Sequence, residues 1–311
     1  MRKLQVFDGH CDTAVELWRR QEMLADSSCQ VSLRNAQKFD AYVQFFAFCT
    51  AWLPPELQNP GAFSDALRYF CVQLACNRDV VFSCRTAKDV ELALTGHARG
   101  ALLSIEGAEA IGCDPGRLDE AHAAGVRMTT LTWNHKNALA GSCLTGEGLS
   151  AQGREFVRRA QKLGIIIDVS HLSDRAFWDV CELAEKPIVA SHSNSRAVCP
   201  HPRNLTDDQF QAICQLGGTA GINLYSPFLS GEASSLDDVC RHIEHFFEIG
   251  GAGHVALGGD LDGCDTLPAG IAGIQDYDKL AEALLERGFE ETDIRGIFSD
   301  SLLKVVKQCI M

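Results

Sequence analysis

Eight apolar runs rich in β-branched residues recur along this chain, at 4–7, 41–49, 100–105, 127–132, 164–169, 187–190, 218–224 and 254–258. They are nearly continuous in apolar character rather than alternating, the pattern of strands buried on both faces of a parallel sheet. Between and after them lie segments with helical periodicity, notably 62–81, 151–162, 173–184, 207–216, 236–249, 276–287 and 301–310. Several open on capping residues: Ser173 precedes Asp174, and Thr206 stands three residues before Gln209, a capping-box spacing. Gly164 and Gly288 fall where C-terminal caps belong. Strand and helix in alternation build a parallel sheet, and eight such pairs in a chain of this length fit a closed (β/α)8 barrel better than an open sheet. An open doubly wound sheet would normally carry a G-x-G-x-x-G turn after its first strand, whereas here the first run leads into Gly9-His10-Cys11-Asp12. No linker, low-complexity tract or repeat divides the chain. The expected fold is therefore α/β, a single-domain TIM barrel over residues 1–311, with 50–99 and 134–150 as added loops and helices around it.

Composition narrows the function classes. With 311 residues and 46% hydrophobic content the chain can bury a large core. Its formal net charge is -13, and its Lys/Arg clusters do not exceed pairs such as Arg19-Arg20 and Arg158-Arg159. Nucleic acid and anionic membrane surfaces call for a basic patch, so neither is an expected partner. No apolar run reaches the roughly 18 residues of a membrane span. Met1-Arg2-Lys3 leads directly into a strand rather than into a secretory signal, so the expectation is a cytoplasmic protein. The 14 cysteines are scattered without a Cys-x-x-Cys pair, which predicts reduced, mostly buried thiols rather than a disulfide framework or a cysteine metal cluster.

In a barrel the chemistry sits at the C-terminal ends of the strands. The first run closes on His10 and Asp12, the third on Glu106, and the fourth on Trp133, Asn134 and His135. The fifth closes on His171, the sixth on His192, the seventh on Asn223 and Tyr225, and the eighth on Asp260 and Asp262. Only the second, ending near Cys49-Thr50, lacks an ionisable group. Taken singly, each reads as well as a polar strand end satisfied by a backbone partner. His10 and Asp12 stand two apart, so strand alternation turns both to one face and Cys11 to the other. Together, three histidines, a Glu and two Asp at one barrel mouth concentrate desolvated charge at a cost that divalent cations would offset. Three His, Asp12 and Glu106 exceed the three protein ligands of one catalytic zinc, and the two oxygens of Glu106 can bridge a pair of cations. Such a pair would make a nucleophile of a water between them, leaving Asp260 to take and return the proton. His97, His122, His135, His201, His242, His245 and His254 are by default surface or structural.

At these residues the chain resembles the membrane (renal) dipeptidases and their bacterial relatives, peptidase family M19, a metallopeptidase branch of the amidohydrolase superfamily. The resemblance covers essentially the whole barrel. Asp8-Gly9-His10-Cys11-Asp12 looks like the family's N-terminal metal motif. Ile105-Glu106-Gly107-Ala108, followed by Leu118 and Gly125-Val126-Arg127, resembles its signature, with His122 where that signature has a Tyr. Asp168-Val169-Ser170-His171 and Ser191-His192-Ser193 look like the two later metal-binding segments. Arg203-Asn204-Leu205 resembles the substrate-carboxylate segment, and Gly259-Asp260-Leu261-Asp262-Gly263 the last strand's motif.

The resemblance implies a binuclear zinc site. His10, Asp12 and bridging Glu106 would hold one ion, and Glu106, His171 and His192 the other. Asp260 would shuttle the proton, and Arg203 would anchor the dipeptide carboxylate through a bidentate pair. The family often has a His after its fourth strand, in Leu-Thr-His, contacting the substrate and the oxyanion. Here Leu131-Thr132 is followed by Trp133, whose indole N–H donates one hydrogen bond and carries no charge, leaving Asn134 or His135 to substitute. Ser299-Asp300-Ser301 replaces what is often a Gly/Asn segment, a change expected to be structural.

The implied activity is hydrolysis of dipeptides, L-Xaa–D-Xaa among them, by a hydroxide shared between two zinc ions. A second reading is another binuclear-metal amidohydrolase acting on N-acyl amino acids, cyclic amides or lactones, because the ligands alone do not discriminate. The candidate substrate contacts Arg203, Trp133, Asn134, His135, Asn223 and Tyr225 would decide between them. A third is a catalytically silent metal- or peptide-binding barrel, against which the intact ligand set argues. The expected partner is a small dipeptide, with no nucleic acid and no membrane, and assembly as a homodimer is left open.

Overall fold

Every apolar run becomes a strand, and all the strand pairings are parallel. The computed structural model describes residues 4–231 and 233–310. In chain order the strands are β1 (Gln5–Cys11), β2 (Ala41–Cys49), β3 (Val81–Ser83), β4 (Arg99–Glu106), β5 (Val126–Thr130), β6 (Ile166–Asp168), β7 (Val189–Ala190), β8 (Thr219–Ile222) and β9 (Val255–Leu257). They hydrogen-bond in the order β2-β1-β9-β8-β7-β6-β5-β4, and β2 pairs with β4 to close the ring. Helices lie between the strands, so the chain is a single (β/α)8 TIM barrel.

The ninth strand is a correction to the sequence reading. β3 pairs only with the start of β4, from Val81–Arg99 to Ser83–Ala101, and stands outside the ring. The helix expected over 62–81 runs Pro60–Cys76 instead, capped by the Asn59 side chain on the N–H groups of Gly61 and Ala62. Val81-Phe82-Ser83 leaves it to extend the sheet, as a β-branched and aromatic segment prefers. The other helices expected from the sequence fall within a residue or two of expectation, while Thr13–Arg20, Leu118–Ala124 and Glu291–Arg295 are helices that the periodicity did not single out. Ser173 caps one by accepting from Ala176 N–H, Thr206 and Gln209 form the capping box, and Gly164 ends a helix in left-handed conformation. The cysteines are all free and most are buried, and among the described residues no helix is long and apolar enough to cross a membrane.

Alternate strand residues divide between two apolar layers. Phe7, Val43, Phe45, Leu102, Met128 and Ile166 fill the barrel and share one cluster with Leu302, Val305 and Val306 of the helix Ser301–Cys309. Val6, Tyr42, Phe46, Leu103, Ile167 and Ile222 belong to the outer layer beneath the helical shell. Cys309 Sγ lies 3.6 Å from the carbonyl of Pro187, just before β7, so the last helix seals the N-terminal end of the barrel. The C-terminal end is the open one.

β1 carries the irregularity that shapes that end. Asp8 faces Gln44 and Cys11 faces Phe46, so Gly9 and His10 together oppose the single Phe45. This bulge resets the alternation. With Phe7 inside, an unbroken strand would turn His10 out toward the helices and Cys11 in. Instead Cys11 joins Val6 in the outer layer, and Gly9 faces the interior, where a Cβ would meet the carbonyl oxygens of Ser191 and Leu257 at 3.2 Å. The buried Asp8 carboxylate fixes the bulge. It accepts from the backbone N–H of His10 (2.9 Å) and Gly259 (3.1 Å), from Gln44 Nε2 (3.1 Å) and from the Tyr277 hydroxyl (2.5 Å). Burial pushes this carboxyl above its usual range, against the pull of those four donors.

Candidate metal centre and substrate cavity

Glu106, the last residue of β4, lies at the centre of the open end. Its Oε2 is 3.5 Å from His10 Nε2, whereas its Oε1 is 2.8 Å from His171 Nε2 and 3.4 Å from His192 Nε2. The two oxygens of one carboxylate therefore face two separate histidine groups. Asp12, where β1 passes into the helix Thr13–Arg20, brings its Oδ2 to 3.7 Å from His10 Nε2, and Asp260 Oδ1 lies 3.8 Å from the same nitrogen. His171 Nε2 and His192 Nε2 are 2.9 Å apart. His10, Asp12, Glu106, His171 and His192 are all buried.

Two observations indicate what this cluster accommodates. His10 Nε2 and Asp12 Oδ1 are buried without a hydrogen-bond partner among the described residues, an expense native proteins rarely leave uncompensated. His171 and His192 also have their Nδ1 atoms engaged elsewhere, on Asn134 Oδ1 at 2.9 Å and on Ser191 Oγ at 2.7 Å. With Nδ1–H donating, both Nε2 lone pairs point at each other and at Glu106 Oε1, an arrangement that a cation relieves. The ligand atoms of His10, Asp12 and Glu106 lie within 4.8 Å of one another, as do those of Glu106, His171 and His192. Either set could hold a divalent cation of the borderline kind that imidazole and carboxylate suit.

The protonation pattern has the same origin. Burial alone would depress the His10 imidazole, but Glu106 and Asp12 beside it push it well above its usual range. Burial would raise Glu106, yet the charge of His10 beside it holds it well below the carboxylate range. Burial, reinforced by Glu106, pushes Asp12 up to about 8, and burial pushes Asp260 up to about 6. Burial and the Arg203 guanidinium push His171 down to about 4, while burial and His10 push His192 well down. Three carboxylates share too dry a space for all to ionise with one proton-bearing imidazole; cations would hold all three as anions and the imidazoles neutral.

Backbone conformation at the site is unusual as well. His171 (φ 70°) and Asp260 (φ 56°) sit in the left-handed region, a local cost of roughly 1–3 kcal/mol that proteins keep mainly where function requires it. At Gly263 a Cβ would lie 2.2 Å from Asp12 Oδ2 and 2.7 Å from Asp260 Oδ1, so glycine keeps open the space between these carboxylates.

A cavity of about 510 Å³ opens over the cluster, its walls including Trp52, Trp133, Asn134, Arg203, Tyr225 and Phe228. Arg203 is only 5% exposed. Its Nη atoms reach Ser193 Oγ and the His192 carbonyl, both at 3.3 Å, and its guanidinium lies 5.4 Å from the centre of the Phe228 ring. Its Nε has no partner among the described residues. A guanidinium on the cavity wall has the donors that pair with a carboxylate.

Trp133, Asn134 and Tyr225 line this cavity, whereas Asn223 and His135 are not part of its lining. Asn223 is fully buried behind Asp260 and gives its Nδ2 to Asp260 Oδ2 at 2.9 Å. His135 is exposed, edge-on to Trp133 with ring centres 5.9 Å apart. Asn134 is at once cavity wall and support for His171. Asp8, Asp168 and Ser191 stood in the sequence only as motif neighbours, because their partners lie on other strands. At the rim, Arg19 and Arg20 both close on Glu16, at 2.8 and 2.5 Å, and Arg19 lies over Trp52. Nothing in the sequence distinguished that trio from a charged helix face.

The sequence model of the membrane dipeptidase family (peptidase family M19) matches residues 1–310. A Klebsiella pneumoniae protein, described as an uncharacterized protein in the pqqA 5' region, is 35% identical over 237 residues, covering 72% of this chain and 87% of that one. An uncharacterized dipeptidase of Schizosaccharomyces pombe is 34% identical over 213 residues, 66% of this chain, and the match spans only about half of that protein, 52%. Among solved structures, a metallopeptidase from Rhodobacter sphaeroides liganded with a phosphinate mimic of the dipeptide L-Ala-D-Ala superposes with a TM-score of 0.90 at 28% identity, covering 99% of both chains.

Proposed function

The chain belongs to the membrane dipeptidase family, peptidase family M19, and on that footing we propose that it is a zinc-dependent dipeptidase whose substrates include L-Xaa–D-Xaa dipeptides. The observation that carries the two-ion reading is Glu106, with one oxygen toward His10 and the other toward His171 and His192. His10, Asp12 and Glu106 would hold one zinc, and Glu106, His171 and His192 the other. Bound there, the pair would polarise the scissile carbonyl and lower the pKa of the attacking water.

The protein's own residues supply orientation and proton transfer. Arg203, in the cavity wall, receives the substrate carboxylate, which fixes the end by which a dipeptide enters. Asp260, steadied by Asn223, takes the proton of the attacking water and delivers it to the departing amine. Trp133 and Tyr225 wall the space that the side chains of the substrate occupy. The dipeptide mimic held by the Rhodobacter sphaeroides relative supports a D-residue at the C-terminal position.

Dialysis against a chelator is expected to abolish hydrolysis of Gly–Xaa and L-Ala–D-Ala dipeptides, and added zinc to restore it. Full activity of the metal-free protein would sink the metal reading. A parallel panel of N-acyl amino acids tests the substrate class: turnover of these faster than of any dipeptide would make the chain another amidohydrolase on the same barrel.

A further inference from the structure

Directly below the ligand cluster, inside the barrel, sits one hydroxyl with three partners. Ser191 Oγ is 2.5 Å from Asp168 Oδ2, 2.7 Å from His192 Nδ1 and 3.4 Å from His10 Nδ1. Its position follows from the shortness of β7, which ends at Ala190. There the chain turns inward, and the Ser191 carbonyl oxygen stands 2.0 Å from where a Cβ on Gly221 would be and 1.8 Å from one on Gly258. Only glycines on the neighbouring strands admit a backbone this close to the axis.

The hydrogen bonding has a single consistent assignment. Asp168 Oδ1 accepts from the backbone N–H groups of Ser170 and Ser191, each at 2.9 Å, so its carboxylate is held as an acceptor. A hydroxyl has one proton to give and two lone pairs to receive with. Given to Asp168 Oδ2, that proton leaves both lone pairs for the imidazoles. His10 Nδ1 has no other partner among the described residues, and a buried ring N–H needs one. With cations holding the imidazoles neutral, both rings would be in the Nδ1–H form, with bare Nε2 atoms turned up toward Glu106. His10, Asp168 and His192 also bring ligand atoms within 4.8 Å of one another, but on the Nδ1 side, where Ser191 Oγ already bonds to all three.

We propose that Ser191, polarised by Asp168, is a positioning residue shared by the two cation positions: one hydroxyl sets the tautomer of a histidine belonging to each. The inference rests on the two-ion reading above. His171 provides the contrast, since its Nδ1 is served separately by Asn134 and so affects one position only.

The test is competition for zinc between the full-length protein and a chromophoric chelator. Outer hydrogen-bond partners of metal ligands typically alter affinity about 10–100-fold. Ser191→Ala is expected to weaken both stepwise zinc affinities by about that range, more at the position using the closer His192, while Asn134→Ala weakens one. Asp168→Asn is the sharper variant. Its isosteric amide keeps Oδ1 on the two backbone N–H groups but points an N–H at Ser191 Oγ, so the hydroxyl proton must turn to an imidazole and put the imidazole proton on Nε2. That variant is expected to lose affinity chiefly at the position using His192, the nearer ring at 2.7 Å, while the melting temperature of its metal-free form stays near that of the wild type. The 15N shifts of the His192 imidazole should report the Nδ1–H form in wild type and the Nε2–H form in Asp168→Asn. Wild type that binds a single zinc would overturn the two-ion reading itself. Wild type that binds two, with Ser191→Ala within twofold of it at either position, would overturn the shared role of Ser191 alone.

Discussion

At the N-terminal end of the barrel, Leu302, Val305 and Val306 of the last helix pack against Phe7, Val43 and Leu102 in one apolar cluster. At the C-terminal end the barrel strands lead into Glu106, His171 and Asp260, where buried ring and carboxylate atoms lack partners and His171, Asp260 and Asp262 hold left-handed backbone. Apart from the bulge in β1, the difference lies in what the inward positions carry. Below, the inward side chains are mostly apolar and meet others at close-packed density. Above, the inward positions shrink to Gly9, Gly221 and Gly258 or become polar, and the freed room is given to a hydroxyl, three imidazoles and four carboxylates. Packing at one end holds in place the unsatisfied and strained groups at the other, the division of labour that this fold allows.

The sharpest way to break that division is at Asp260. Asp260→Asn keeps the side-chain volume and can still hydrogen-bond to Asn223, but it cannot carry the proton from water to amine. The expected loss in kcat is about 10²–10⁴-fold, the usual worth of a positioned acid–base group, with KM within a few-fold of wild type and the melting temperature unchanged. Thermal melts and steady-state kinetics on one dipeptide check this together. A variant that loses stability in proportion to activity would place Asp260 among the structural residues.

How much of this was legible beforehand differs between the two ends for a physical reason. The apolar runs could be read because burial on both faces leaves a continuous composition, visible even for β7, which is just Val189–Ala190. β3 could not: three residues after a helix carry no period of their own. His10 and Asp12 were rightly placed on one side of Cys11, but alternation from Phe7 gives the wrong face for His10, and the bulge that corrects it depends on Asp8 meeting Gly259 and Tyr277 some 250 positions away. Ser191 and Asp168 are 23 positions apart and look like ordinary strand-end polar residues until β6 and β7 are side by side. Arg203 reads from its neighbours as a surface loop residue, and only the family resemblance singled it out. Its burial beneath Phe228 belongs to tertiary structure.

The sealed end can be tested in the opposite sense. Leu102 is fully buried inside the barrel, four residues before Glu106 on β4, and Leu102→Ala removes much of its contact with the plug. The expected cost is about 2–5 kcal/mol of stability, read by denaturant unfolding. Activity per folded molecule and zinc content should stay at wild-type values. Loss of zinc in a variant still fully folded would show that the two ends are coupled more tightly than the layered packing suggests.

His242 is the group for which the division ought to fail. It lies on the helix Leu236–Glu248, fully buried, yet it serves the open end. Its Nδ1 accepts from the backbone N–H of Ser195 at 3.1 Å, at the start of the loop that carries Arg203, and its Nε2 donates to the Leu229 carbonyl at 2.9 Å. Burial pushes this imidazole down to about 4 from the ordinary 6.5. The unfolded chain therefore takes up a proton near pH 6.5, and the folded chain only near 4. The stabilisation is full above about 6.5 and declines as the pH falls through that window, by at most about 3 kcal/mol. A protonated Nδ1 also cannot accept from Ser195, so the loop bearing Arg203 should loosen, and KM should rise in acid ahead of global unfolding. His242→Gln keeps a donor for Leu229 and cannot titrate. It is expected to melt below wild type at pH 7.5 and to lose less between pH 6.5 and 4.5, so that the gap narrows as the buffer acidifies. Parallel melting curves would assign the acid sensitivity to other groups and return His242 to plain packing, with stability and function divided along the barrel axis after all.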